Sequence, residues 1–273
     1  MRVVAAVNGL ITSELAALYA LRYAAVHGFP LTLLHVENSQ DRLDDVQRSM
    51  NVIEEAAALD HVSCERLLLA GKPITAIRKY LADNRVDTLF CSMSRHHKYF
   101  QTSLRKQLIS QPLPTDLAVV QVVRLDAASY VKNIVMTIEE DRLSVKKFTF
   151  FTAFAKAYEA DTEIYSVTLI DARKLAELDL PLTRNLLKTI NDHLSHYVKL
   201  ASFLNIPLHI KHAVASNEID QILHHLSHHN FELMIVGNRW LPNLSRLFRN
   251  QPIERLLRAT PINTIVFYGR DNG

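Results

Sequence analysis

Apolar and polar positions along this chain alternate between two periods. Val3, Val4, Ala5, Ala6 and Val7 form an unbroken apolar run, the pattern of a strand buried on both faces. Leu15, Leu18, Leu21 and Ala25 then recur at helical spacing behind Thr12 and Ser13, either of which can cap a helix N-terminus. Gly28 stands where a left-handed C-terminal residue is wanted, and Leu31 to Val36 reads as a second buried strand. The alternation continues with a helix over 41–59, a strand over 62–69, a turn at Ala70-Gly71-Lys72-Pro73, a helix over 74–84 and a strand over 88–91. After an irregular loop over 92–100 come one more helix and a strand over 117–123. Strands alternating with helices in this way predict a parallel sheet covered on both faces and joined by right-handed crossovers.

A glycine-poor linker over 126–130 follows, and the pattern then restarts. Ile134 to Ile138 is a strand, Phe148, Phe151 and Ala155 stripe a helix, and Glu163 to Ile170 is a strand. A long helix over 182–204, a strand containing Leu208 and Ile210, and a helix with Ile219, Ile222, Leu223 and Leu226 on one face come next. The last stretch is a strand over 233–236, Gly237, a basic loop over 238–250, a helix through Glu254 to Arg258 and a strand over 264–267. A repeat of this size predicts two domains, 1–125 and 131–273, each with its own core. An Ile- and Val-rich strand that ends in Gly and leads to a helix opens onto a ligand crevice in such folds, so the loop after Gly237 is where chemistry is sought.

Composition narrows the function. The 273 residues are 48% hydrophobic, ample for two cores. Glycine occurs only at 9, 28, 71, 237, 269 and 273, which excludes a dinucleotide fingerprint and a phosphate-gripping P-loop, because both need clustered glycines. A net charge of +3 from 31 basic and 28 acidic residues is a mixed surface, not a nucleic-acid footprint. Cys64 and Cys91 are too few and too far apart for a disulfide framework or a cysteine metal site. Met1 leads straight into a strand, and no apolar run reaches the roughly 20 residues that span a bilayer. The expectation is a soluble, cytoplasmic protein without membrane insertion.

The pieces Val3 to Gly9, Leu31-Thr32-Leu33-Leu34-His35-Val36, Gly71-Lys72-Pro73 before a helix and Val86-Asp87-Thr88-Leu89 occur in order in the first half, and the order recurs in the second. With the stretch from Gly237 to Gln251, they give a chain that resembles the universal stress protein family over nearly all its length, in two copies. Nucleotide-binding members carry Gly, two residues, Gly, nine residues, Gly, then Ser or Thr. Gly237 matches the first position, whereas Trp240 and Asn250 stand at the second and third and Gln251 follows. The frame survives without two of its glycines, whose role is to let backbone N–H groups approach phosphate oxygens.

The resemblance implies two doubly wound, five-stranded parallel-sheet α/β domains of strand order 3-2-1-4-5. It also implies pairing of the two fifth strands within the chain, joining 117–123 to 264–267 and covering two edges at once. It places adenine contacts at Asn8 and Glu139, where the family has Asp, and backbone contacts at Val36 and Leu169. Phosphate contacts fall on Gly237, Asn250 and Gln251 in the second half. In the first half they fall on Thr102 and Ser103, in a Gly-free loop that begins at Ser92 and carries Arg95, His96, His97 and Lys98. Hydroxyls and helix N-terminal amides can still hold an anion there. ATP is the cofactor that the resemblance brings.

Other candidate chemistry is weaker. His224 with His228, and His225 with His229, are spaced i, i+4, and two such nitrogens can share a zinc. The apolar face set by Ile219, Ile222, Leu223 and Leu226 leaves His224 and His228 on the exposed side without a further ligand, and His193 with His196 reads the same way. His209-Ile210-Lys211-His212 is similar to the His-Ile-Gly-His signature of nucleotidyltransferases but lies at a third strand and lacks the Gly. Two readings follow. In the first, a non-catalytic stress-response protein acts through contacts with protein partners, and its nucleotide sites are degenerate. In the second, the chain is an ATP-binding switch, with or without slow hydrolysis, whose site in the second half uses Glu139, Gly237, Asn250 and Gln251. A homodimer is compatible with either.

Overall fold

The computed structural model describes residues 1–37, 42–93, 104–109, 113–138, 144–171, 179–238 and 252–270. The strands are β1 (Arg2–Ala6), β2 (Leu31–Val36), β3 (Cys64–Leu69), β4 (Val86–Ser92), β5 (Asp116–Gln121), β6 (Asn133–Ile138), β7 (Asp161–Leu169), β8 (Leu208–Ala215), β9 (Leu233–Asn238) and β10 (Asn263–Tyr268). The helices are α1 (Ile11–His27), α2 (Leu43–Leu59), α3 (Pro73–Asp83), α4 (Leu104–Ile109), α5 (Val145–Tyr158), α6 (Leu180–Phe203), α7 (Glu218–His228) and α8 (Pro252–Ala259). Contacts divide the chain into two compact units. The first is built on Met1–Ser129 and takes in β10, and the second is built on Tyr130–Val236 and takes in α8.

In the first unit the strand order is β3-β2-β1-β4-β5-β10. The first five strands are parallel, and β10 joins antiparallel to β5. β1 and β2 are apolar almost throughout because both faces are covered, whereas the edge strand β3 alternates exposed and half-buried residues. α1 lies on β1 and β4 through Ala16, Ala17, Ala20 and Ala24, small side chains that let the helix approach the sheet closely. Gly28 ends it at φ 64°, its N–H on the carbonyls of Ala24 and Ala25. The helix starts at Ile11 with Leu10 at the N-cap and no side-chain cap, so neither Thr12 nor Ser13 has the expected capping role. Ser13 is instead buried inside the first turn.

The second unit has the order β8-β7-β6-β9, all parallel. Ser144 caps α5 by accepting from the Lys147 N–H, and Asn217 caps α7 by accepting from the Asp220 N–H. α5 buries Phe148, Phe150, Phe151 and Phe154, each side chain contributing about 1.5–3 kcal/mol by leaving water. Tyr197 of α6 packs on Phe148 with ring centroids 5.5 Å apart. A second cluster under α7 gathers Val135, Val167, Ile222, Leu226, Met234 and Leu256.

The expected order 3-2-1-4-5 is present in the first half as β3-β2-β1-β4-β5, and the contacts that define the units group β10, which the repeat assigned to the second half, with the first. Thr264 to Tyr268 pair with Gln121 to Leu117, all of β5 but its first residue, and this is the pairing of 117–123 with 264–267 expected from the sequence. Asn263 reinforces it. Its Oδ1 accepts from the N–H groups of Val123 (2.7 Å) and Arg124 (2.9 Å), and its Nδ2 donates to the Arg124 carbonyl (2.9 Å) and the Tyr19 hydroxyl (3.0 Å). All four hydrogen-bonding capacities of a fully buried amide are used. Burial pushes the Tyr19 phenol up to about 12, against a smaller opposing effect of the Asn263 bond.

Asn263→Ala strands two backbone N–H groups and removes a buried partner of Tyr19. It should lower the unfolding free energy by about 3 kcal/mol or more, read from urea denaturation of the full chain. A loss below about 0.5 kcal/mol would show that the amide does not hold β10 in place.

Candidate functional site

The carboxyl ends of the parallel strands are where an α/β sheet binds ligands. In the first unit β1 and β2 bring Asn8 and Val36 to neighbouring strand ends, since Ala6 pairs with Leu34 and the Val7 N–H donates to the Leu34 carbonyl at 2.8 Å. Val36 is buried. His35, buried beside it, bonds through Nδ1 to the Val7 carbonyl at 2.8 Å, and because a carbonyl only accepts, Nδ1 carries the hydrogen.

Asn8 is engaged in its own turn. Its N–H donates to Ser13 Oγ (3.2 Å), Ser13 Oγ donates to the Leu10 carbonyl (2.8 Å), and the Leu10 N–H donates to Asn8 Oδ1 (3.2 Å). The side-chain oxygen that would meet an adenine thus serves the backbone two residues on, an Asx turn. Gly9 follows at φ 78°, and a Cβ placed on it would lie 2.9 Å from the Val46 nitrogen and 3.0 Å from the Asp45 carbonyl carbon in the first turn of α2. Backbone packs against backbone here, which only glycine permits.

In the second unit Leu169 ends β7 and is 56% exposed. Gly237 is half-buried near the end of β9, directly after Val236, which pairs with Thr137 of β6. Glu139, Asn250, Gln251, Thr102 and Ser103, with Trp240 and the basic residues at 95–98, lie outside the described residues. The described site positions therefore form one adjacent pair, Asn8 with Val36, together with Leu169 and Gly237 singly.

A polar cluster that the sequence reading did not find lies beneath α7. Glu163 and Tyr165 alternate onto one face of β7, and Lys211 pairs with Tyr165 across to β8. His225 of α7 is buried with its ring stacked on Tyr165, centroids 3.8 Å apart and planes within 1°. Its Nε2 donates to one oxygen of the buried Glu163, whose other oxygen takes Lys211 Nζ at 3.0 Å. Gln221 Nε2 donates to the Tyr165 hydroxyl at 3.0 Å. His229 Nδ1 lies 2.9 Å from the His225 carbonyl, so that nitrogen bears the hydrogen, and Lys211 Nζ donates to its Nε2 at 2.8 Å. Burial pushes the His225 imidazole below its ordinary value, with the Glu163 bond pulling the other way. The signal in the sequence was position 225, three residues beyond Ile222 and so on the same helix face.

On the opposite face of β7, Ser166 Oγ and Thr168 Oγ1 hold the two ring nitrogens of His212 at 2.5 and 3.0 Å, and burial lowers its basicity. No carboxylate joins that pair in the described contacts. His224 and His228 are exposed as expected, and among the described residues no group of three His, Cys, Asp or Glu could hold a metal ion. The His193 side chain lies outside the described ones. Burial, reinforced by Glu54, pushes the Cys64 thiol up to about 11, the opposite of an activated nucleophile.

No family model and no curated protein matches the chain. Solved structures do. A universal stress protein from Archaeoglobus fulgidus DSM 4304 aligns at 14% identity over 99% of this chain and 98% of its own, with a TM-score of 0.63. A protein of unknown function from Pseudomonas aeruginosa PAO1 aligns at 13% identity over 99% and 93%, TM-score 0.64. The cytoplasmic domain of a prokaryotic cation chloride cotransporter aligns at 11% identity over 100% and 96%, TM-score 0.59. The chain has the fold of the universal stress proteins, an α/β architecture with a largely parallel sheet. No helix among the described residues is long and apolar enough to cross a membrane.

Two of the positive-φ glycines of the first unit, Gly9 and Gly28, separate strain from contact. Gly28→Ala meets nothing within 4 Å at φ 64° and should cost about 1 kcal/mol, whereas Gly9→Ala adds the collision with α2 and should cost about 2–4 kcal/mol. Urea unfolding of both variants checks the order, and equal costs would mean that α2 yields freely at the end of β1.

Proposed function

We propose that this chain is a non-catalytic protein of the universal stress type, a tandem of domains over 1–125 and 131–273, that acts in the cytoplasm through contacts with protein partners. Its nucleotide sites are degenerate. The observation that carries this reading is the set of hydrogen bonds around Asn8, in which the Leu10 N–H holds the acceptor due to adenine in its own turn and uses one of its two lone pairs. Two substitutions in the sequence support it: Trp240 and Asn250 stand where phosphate-binding members have glycine, and the first loop has none. The turn after β1 also packs tightly on α2 at Gly9. The same fold forms the cytoplasmic domain of a cotransporter, which is consistent with a role exercised by contact rather than by turnover.

The second reading, an ATP-binding switch, concerns the second half. Gly237 keeps the first position of the phosphate frame, and Glu139 keeps a charged acceptor at the position where the family has Asp. Asn250 and Gln251 would then offer backbone and amide donors to the phosphates in place of Gly and Ser. Leu169 would supply the backbone contact beside the base.

Calorimetric titration of the full chain with ATP and Mg²⁺, alongside a Gly237→Val variant, tests the choice. The proposal expects no binding heat up to roughly millimolar ATP in either protein. Binding at micromolar affinity, about −8 kcal/mol, that is lost in the variant would overturn it in favour of the switch.

A further inference from the structure

The cluster beneath α7 is built around a proton count. Lys211 has only hydrogens to donate, so its 2.8 Å contact with His229 Nε2 requires that nitrogen to be bare. His229 Nδ1 carries a hydrogen for the His225 carbonyl, so both ring nitrogens are engaged when Lys211 donates to Nε2. His225 is constrained in the same way. Its Nε2 hydrogen is given to Glu163, and a second proton would make a cation at a buried position. The single negative charge there, on Glu163, is already shared with Lys211.

The groups around His225 are accounted for on every element packed against it. β7 presents Glu163 and Tyr165, and β8 presents Lys211, with His209 as the register neighbour of Glu163. His229, the residue just after α7, stands beside His225, while His224 and His228 stand on the exposed side of the helix. From α8, Arg255 is bound to Asp220 at the start of α7, at the other end of the helix from His229.

Among the described hydrogen bonds of the cluster, those that tie α7 and the residue after it to the sheet are His225 on Glu163, Lys211 on His229 and Gln221 on Tyr165, so two of the three pass through an imidazole. We propose that Glu163, Lys211, His225 and His229 form a proton-operated latch that holds the C-terminal half of α7 on β7 and β8 at neutral pH and releases it on mild acidification. The inference is independent of whether either half binds nucleotide. Its linkage has a definite sign. A histidine whose basicity is lowered by folding binds protons more readily once released, so docking is fully favoured above the ordinary imidazole value of 6.5 and is lost as pH falls below it. The apolar contacts of Ile219 and Ile222 with the core under α7 keep the first half of the helix docked, so release is local.

Native-state amide exchange of the full chain, corrected for intrinsic rates, tests this at about pH 7.5 and about pH 5.5. Protection over 222–228 should fall by about tenfold or more on acidification, while the amides of α5 in the same unit change by less than about threefold. His225→Gln keeps an amide donor for Glu163 but cannot take a proton, and combined with His229→Gln it should remove the pH dependence while leaving protection at the higher pH in place. Imidazole titration by NMR in the unmodified protein provides a reading that needs no variant: His225 should keep its Nε2–H form and titrate below 6.5. Three outcomes would overturn the latch. They are equal loss of protection in α7 and α5, persistence of the pH dependence in the double variant, and titration of His225 at or above 6.5.

Discussion

The first unit depends on one amide. Asn263 stands at the start of β10, and β10 is the last strand of the chain, yet the bonds it makes reach back to Arg124 and Tyr19. A buried side chain of this kind is tolerated only when every donor and acceptor is used, because each orphan costs about as much as several good contacts supply. Satisfaction here is complete, and it also sets the register. With Asn263 fixed on Val123 and Arg124, Thr264 falls opposite Gln121 and the remaining pairs follow. A slip of one residue would send every β10 side chain to the wrong face of the sheet. The Arg270 N–H donating to Asp116 at 2.8 Å secures the far end of the same pair of strands.

The two units handle their polar interiors differently. In the first, buried polar groups close on backbone: Asn263 on the segment after β5, His35 on Val7, and Thr115 on the carbonyls of Val86 and Asp87. These bonds tie chain segments together and involve no net charge. In the second, ionisable side chains meet each other at Glu163, Lys211 and His225. A neutral amide bond is indifferent to pH, whereas a carboxylate that shares its charge between an ammonium and an imidazole is not.

Much of the fold was legible from the chain because buried parallel strands are apolar throughout. β2 falls on Leu31 to Val36 as read, and the strand pairing of 117–123 with 264–267 is present. Helix starts were less legible. Thr12 and Ser13 carry the chemistry of caps, but Leu10 occupies the cap and Ser13 turns its hydroxyl back to Leu10 and Asn8, a choice made by tertiary packing that no local rule contains. The placement of β10 with the first unit could be anticipated only from the family resemblance, since periodicity identifies a strand without its neighbour. The site was legible in position but not in state. The sequence placed Asn8 at a strand end, and only the structure shows its oxygen held by the Leu10 N–H. His225 was passed over because a histidine reads as polar. Its place on the Ile222 face was visible, but its partner Glu163 lies 62 residues earlier in the chain.

The state of the cysteines has a consequence for reactivity towards oxidants. With the Cys64 thiol raised to about 11, the thiol form dominates at neutral pH, and thiolate is the form that peroxides attack. Cys91 is buried within β4. Neither sulfur is therefore set up for rapid attack on an oxidant: one is held as the thiol, and the other is shielded by the sheet and its covering helices.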